Sequence, residues 1–169
     1  MTAGYHLPME LLPYTDADMW LLEAMETDPR VMAELGGPWP VEEIPMIHAR
    51  RLAYVDGGSW NLKIIPEPGA APVGTMMLWA SERDGEAFTE AGWMLLPEHQ
   101  GKGHAREALR LLLEQARADG RWGPIHAFPG VDNIPSNALC RGQGFTFLET
   151  VDVDYGDRTL HCNHWVLPA

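Results

Sequence analysis

Pro97-Glu98-His99-Gln100-Gly101-Lys102-Gly103-His104-Ala105-Arg106 is a glycine-rich turn that runs directly into an amphipathic helix. The first amides of a helix have no partner within it, and the helix dipole places positive charge there. Glycines let that backbone approach a phosphate closely. Lys102, Arg106 and Arg110 cluster here with His104 between them, in a chain that is otherwise acidic. The segment therefore reads as an anion cradle, with a pyrophosphate the best fit; a plain strand-to-helix turn is the simpler alternative. The Gly-x-x-x-x-Gly-Lys-Ser/Thr spacing of a Walker loop is missing, and so is the Gly-x-Gly-x-x-Gly of dinucleotide folds. What remains is Gln-x-x-Gly-x-Ala, at Gln100, Gly103 and Ala105.

The rest of the chain narrows the setting. Its 169 residues suit one domain with one substantial core, and residues 1–169 read as a single unit with no linker or repeat. No apolar run is long enough to span a bilayer, and the first residues lack the layout of a leader peptide. Two cysteines, Cys140 and Cys162, make no disulfide framework, so a cytoplasmic location is expected. The formal charge of −12 argues against nucleic acid as a partner. It is compatible with a cationic acceptor such as an amine, although solubility alone also explains it.

Periodicity and turn chemistry order the elements. Residues 7–14 read as a strand, and Thr15-Asp16-Ala17-Asp18 as a helix start. Short helical stretches at 31–35 and 41–55 follow, the second with Pro45 in its first turns. Residues 59–65, 72–81 and 88–96 read as a meander of three strands, with a polar turn at 82–86. After the glycine loop, Ala105, Ala108, Leu109, Leu112 and Ala116 form one apolar helical face, and Gly120 stops the helix. A short strand at 124–128, a helix from Asn133 to about Gln143 and a hairpin of 145–153 with 158–167 complete the order. This is a mixed α/β arrangement.

A second motif follows the first, separated by a helix and a strand: Asn133-Ile134-Pro135-Ser136, ending in Gly144-Phe145. Alone it is a capped helix with a glycine stop. Together, the loop and this block resemble the GNAT N-acetyltransferase superfamily, and the Asn-x-x-Ser…Gly-Phe pattern resembles its RimJ/RimL-like branch. The resemblance implies a central, mostly antiparallel sheet with two splayed parallel strands and helices on both faces. It implies acetyl-CoA as cosubstrate and no metal. Met94, Leu95 and Leu96 would offer backbone groups to the pantetheine arm. The amides of Gln100, Gly101, Lys102, Gly103, His104, Ala105 and Arg106 would take the phosphates. Asn133 and Ser136 would face the cofactor.

The chemistry expected at such a site can be laid on individual residues. An amine with a pKa near ~10 is protonated at neutral pH and must lose a proton before it attacks a thioester. Glu90, on the strand leading to the loop, is the candidate base, with Gly92 beside it leaving room for substrate. A solvent-facing strand glutamate is the equal alternative. A backbone N–H at Met94 or Leu95 would stabilise charge on the thioester oxygen. Many relatives place a tyrosine four residues before the Gly-Phe glycine; here that residue is Cys140. Cys140, Ser136 or water would then protonate the leaving thiolate, and a buried apolar Cys140 is the alternative.

In His161-Cys162-Asn163-His164 alternate residues face opposite ways, which argues against a metal centre. Trp39, Trp60, Trp79 and Trp93 are candidates for an aromatic acceptor pocket, with at least two expected in the core. The function expected is transfer of acetyl from acetyl-CoA to a primary amine, on a small molecule or a protein N-terminus, directly within a ternary complex. The alternative is a catalytically silent acyl-CoA-binding sensor. No membrane partner is expected, and the C-terminal strands offer a surface for a homodimer.

Overall fold

The computed structural model describes residues 8–169. The leader-peptide reading and the expected strand start at Leu7 fall outside them. Seven strands form one sheet in the order β1-β2-β3-β4-β5-β7-β6. In chain order, β1 (Glu10–Pro13) leads through a 3-10 turn capped by Thr15 into α1 (Met19–Glu26). α2 (Pro29–Met32) and α3 (Ile44–Asp56) follow, each preceded or extended by a 3-10 turn, with Pro45 in the first turn of α3. Next come β2 (Trp60–Ile65), β3 (Gly74–Arg83) and β4 (Glu86–Leu95), then α4 (His104–Asp119). β5 (Ile125–Ala127), α5 (Ile134–Gly142), β6 (Thr146–Tyr155) and β7 (Arg158–Leu167) close the chain.

The order of elements matches the expectation, and the differences lie at boundaries. The turn expected over 82–86 is only Asp84-Gly85, because both residues adopt positive φ (52° and 80°). That is the two-residue turn whose twist suits a hairpin, so β3 and β4 run two residues further into it than polarity suggests. β3 begins at Gly74 rather than residue 72. A Cβ there would lie 2.2 Å from the Met94 carbonyl oxygen, so glycine allows the close approach of β4.

Helices cover both faces of the sheet. On one, α4 supplies Ala108, Leu109, Leu112, Leu113 and Ala116, and α5 supplies Cys140, packed against Met76, Leu78, Ala91, Ile125 and Trp165. This is the apolar stripe read from the sequence. On the other, Leu21, Met25 and Met32 pack on Met94 and Leu96. Leu22, Ile44 and Ile47 pack with Tyr14 beside them.

One pairing matters most for function. β4 is antiparallel to β3 along its whole length, but its parallel pairing with β5 covers only Thr89–Ile125 and Glu90–His126. Beyond that, the chain leaving β5 turns away and bonds to β7. Asn163 N–H donates to Pro129 O (2.8 Å) and Val131 N–H to His161 O (3.0 Å). Residues 91–95 therefore have a strand on one side only, and a V-shaped opening lies on the other.

Candidate active site

The opening between β4 and the chain after β5 is part of a cleft of about 1710 Å³. Residues 91–95 form one wall, and Phe128, Pro129, Gly130, Asp132 and Asn133 form the other. Backbone groups of successive strand residues alternate between the two edges. Leu96 N–H donates to Val73 O on the β3 side (2.9 Å), which turns Leu95 toward the opening. The Leu95 carbonyl there accepts Gln100 Nε2 at 3.1 Å. Leu95, not Leu96, is thus the exposed rung. Leu96 keeps neither backbone group free, since its carbonyl accepts His99 N–H (2.9 Å), and its side chain is in the core.

At the mouth of the V, Gly101 and Gly103 take positive φ (72° and 83°), and no atom lies within 4 Å of where a Cβ would stand on either. The first helical bond of α4 runs from Glu107 N–H to Gly103 O (3.2 Å). The amides of Ala105 and Arg106, ahead of it, have no acceptor within the helix. Glycine caps this helix without a side chain, so the cradle stays open to an anion. Gln100, Gly101, Gly103, His104, Ala105 and Arg106 all line the cleft. Lys102 is exposed and does not line it. The cluster of positive charge is also smaller than it reads: Arg110 is clamped by Glu107 and Glu114, at 2.7 and 2.5 Å. Of Lys102, Arg106 and Arg110, Arg106 is the one that lines the cleft. The dimensions of the cleft, its open sheet edge and this donor cradle fit an elongated ligand with phosphates at one end.

Asn133 caps α5, its Oδ1 accepting Ser136 N–H at 3.2 Å, and both residues line the cleft. Trp93 Nε1 donates to Ser136 Oγ (3.1 Å), which leaves the serine proton for another acceptor. One turn on, Asn137 is buried and holds the wall in place. Its Nδ2 donates to Gly130 O and Asn133 O, and its Oδ1 accepts from Asn163 Nδ2 and Trp165 Nε1. Nothing local in the sequence marks Asn137, because three of these four partners lie on other elements.

Cys140 does not reach the cleft. It is fully buried in the core beneath α5, and burial pushes its thiol up to about 12. The structure replaces the expectation of a cysteine facing the cofactor with a packing residue, which leaves Ser136 as the hydroxyl on that wall.

Glu90 sits at the closed end of the V, on the face that looks toward α1–α3, and lines the cleft. It is half-buried within the cleft rather than on an open strand face. Burial raises its carboxyl to about 7, and the Ser81 hydroxyl, bonded to it, draws it partly back. Gly92, expected to leave room for substrate, is covered instead by Trp79: a Cβ there would lie 3.0 Å from the indole. Phe88, Phe128 and Cys162 also reach this part of the cleft. The charge of Glu90 helps to raise the Cys162 thiol, after burial, to about 11. All four expected tryptophans line the cleft; none is fully buried, and Trp60, Trp93 and Trp39 also pack against the core, so the same side chains serve cleft and core. Trp39 carries Arg158 over its ring at 4.1 Å; that guanidinium also donates to Leu35 O and Gly37 O, tying the loop to the final hairpin.

The sequence reading missed Glu26, Arg51, Asn61 and Tyr155, all of which line this end. Glu26 is fully buried and paired with Arg51. Burial raises the Tyr155 phenol above its ordinary value. Polar residues on amphipathic elements read as a solvated face, and only the packing of α1 and α3 on the sheet encloses them. As expected, alternate residues of 161–164 face opposite ways: His161 meets Asp152 (2.7 Å), while His164 meets His126 (2.8 Å). Among the described residues, no three His, Cys, Asp or Glu side chains converge on one point.

The family model described as an acetyltransferase (GNAT) domain matches residues 9–146. No curated protein matches the chain. Solved structures similar in fold include spermidine N-acetyltransferase from Vibrio cholerae in complex with CoA and spermine, at 16% identity and a TM-score of 0.77, covering 95% of each chain. RimL, a ribosomal L7/L12 alpha-N-protein acetyltransferase in complex with coenzyme A, aligns at 17% identity and a TM-score of 0.75, over 95% of this chain and 94% of its own. The yncA protein of Salmonella typhimurium, with acetyl-CoA, aligns at 24% identity and 0.70, over 95% and 93%. At these identities the likeness is one of fold.

Proposed function

Because the chain belongs to the GNAT acetyltransferase family, we propose that it transfers the acetyl group of acetyl-CoA to a primary amine, directly within a ternary complex. The observation that carries this reading is the pairing of an open β4 edge and a donor cradle at one end of the cleft with the half-buried Glu90 carboxyl at the other. Bound acetyl-CoA supplies an activated acetyl thioester. The amides at Gln100, Gly101, Gly103, His104, Ala105 and Arg106 hold its phosphates, and Leu95 and Asn133 hold the pantetheine arm. Glu90, at about 7, is matched to accept a proton from an ammonium near neutral pH. A β4 backbone N–H facing the opening between Leu95 and Glu90 would stabilise negative charge on the thioester oxygen. The Ser136 hydroxyl would relay a proton from water to the departing thiolate.

The burial of Cys140 favours a second reading, in which the domain binds acyl-CoA without turnover. Acetyl-CoA-dependent thiol release over a panel of amines, polyamines and N-terminal peptides separates the two, with Gly103→Glu as the loop variant. Release with the native protein, lost in Gly103→Glu, supports the transferase. Calorimetric binding of acetyl-CoA without release supports the silent module. No binding at all refutes both.

A further inference from the structure

The acceptor end of the cleft contains an amide that the fold leaves unpartnered. Asn61 lies in the middle of β2, is 6% exposed and lines the cleft. Neither its Oδ1 nor its Nδ2 has a hydrogen-bond partner among the described residues. A buried polar group left in this way costs about 1–3 kcal/mol, and an asparagine amide has one acceptor and one donor side to satisfy. Asn61 is opposite Met77 on β3, and Met77 is opposite Gly92 on β4, so the three form one row across the sheet. Glu90 is two residues along β4 from Gly92 and shares its face. Arg51 lies over the same row. Its Nη1 reaches Met77 Sδ (2.6 Å) and its Nη2 bonds Glu26, while its Nε is buried with no partner. One carbonyl oxygen, one amide N–H donor and one guanidinium N–H thus remain unused around Met77. From strand spacing and rise, Asn61 and Glu90 are roughly 12 Å apart along the sheet, and their side chains enter the same cleft.

We propose that Asn61, with Arg51, is a specificity-determining pair that reads an amide group of the acceptor, which is therefore a primary amine carrying a neutral amide. An amide offers a donor and an acceptor on neighbouring atoms, the complement of the asparagine side chain, and its carbonyl has a second lone pair for Arg51 Nε–H. A polyamine offers only cationic donors, which would leave Asn61 Nδ2–H and Arg51 Nε–H unpaired and set positive charge beside Arg51. A carboxylate offers only acceptors and would leave Asn61 Oδ1 unpaired beside Glu26. An aminosugar can supply both roles from two vicinal hydroxyls, and the kanamycin arm of the test separates it from an amide. The inference rests on the acetyl-transfer reading of the cleft.

The test compares glycylglycine amide, 1,5-diaminopentane and kanamycin as acceptors with acetyl-CoA, for the native protein, Asn61→Ala and Asn61→Asp. Glycylglycine amide is expected to have at least tenfold the kcat/KM of the other two. Asn61→Ala is expected to lose that advantage through KM, with the diamine changed less than twofold, because a site built to bond a polar group discriminates strongly against its absence. Asn61→Asp keeps the shape but removes the donor, and is expected to lose it as well; it also replaces Asn61→Ala if that variant does not fold. Equal losses for all acceptors, no loss, or a native preference for the diamine or kanamycin would overturn the proposal. If nothing is turned over, calorimetric titration of glycylglycine amide into the CoA-saturated protein decides. Binding weakened tenfold in Asn61→Asp supports the proposal, and absence of binding overturns it. Failure of acetyl-CoA itself to bind refutes the acetyl-transfer reading, and the amide reading falls with it.

Discussion

Glu90→Gln tests the burial of the carboxyl and its proposed role with one substitution. In the folded protein the carboxyl moves from its ordinary 4.5 to about 7 because it is buried. At about 1.4 kcal/mol per unit of pKa, that is worth about 3 kcal/mol of pH-dependent stability. The folded state holds the proton more tightly than the unfolded chain. Stability from this group is therefore complete below pH ~4.5, declines as pH rises toward about 7, and is lost above it. Glutamine carries no such dependence. Urea unfolding of both proteins from pH 4 to 9 should give a difference, native minus variant, that falls by about 3 kcal/mol between pH 4.5 and 8 and is flat on either side. Titrations common to both proteins cancel in that difference. The same carboxyl should produce a limb in kcat/KM that rises with pH through about 7, and the variant should lack it and lose about a hundredfold or more of the rate. A flat stability difference would refute the burial. A stability difference as expected, with the kinetic limb unchanged in Glu90→Gln, would show a buried carboxyl that is not the base.

Asn137→Leu leaves the Asn163 amide, the Trp165 indole N–H and the Gly130 carbonyl without their shared partner, and should cost about 3 kcal/mol by chemical denaturation. Cys140→Ala should cost about 1–2 kcal/mol from the lost core volume yet keep kcat within about twofold; a fall beyond tenfold would return the thiol to the mechanism. Arg158→Ala releases the Leu35 and Gly37 carbonyls and the Trp39 ring, and should raise the acceptor KM severalfold while calorimetry shows acetyl-CoA binding unchanged.

Where the deciding forces act between near neighbours, the sequence alone was enough. The positive φ of Gly101 and Gly103, the Asn133 cap on Ser136 and the apolar stripe of α4 each depend on residues a few positions apart. They are visible as spacing, and they fix the open glycine loop at the start of α4 and the order of the elements. The Asp84-Gly85 turn is equally local and lies within the expected 82–86; only its extent differs, because polarity does not report the turn's two positive φ values. Tertiary structure decided the rest. Cys140 and Glu90 are each a single residue on an amphipathic element, and either could have faced core or cleft. Burial drew Cys140 inward and raised the Glu90 carboxyl. The opening along residues 91–95 arises because the chain after β5 bonds to β7 instead of β4, a choice between partners far apart in sequence. Asn61 and Arg51 became unsatisfied polar atoms only when α1 and α3 closed over the sheet. Desolvation is a property of what surrounds a group, and those surroundings are assembled from distant parts of the chain.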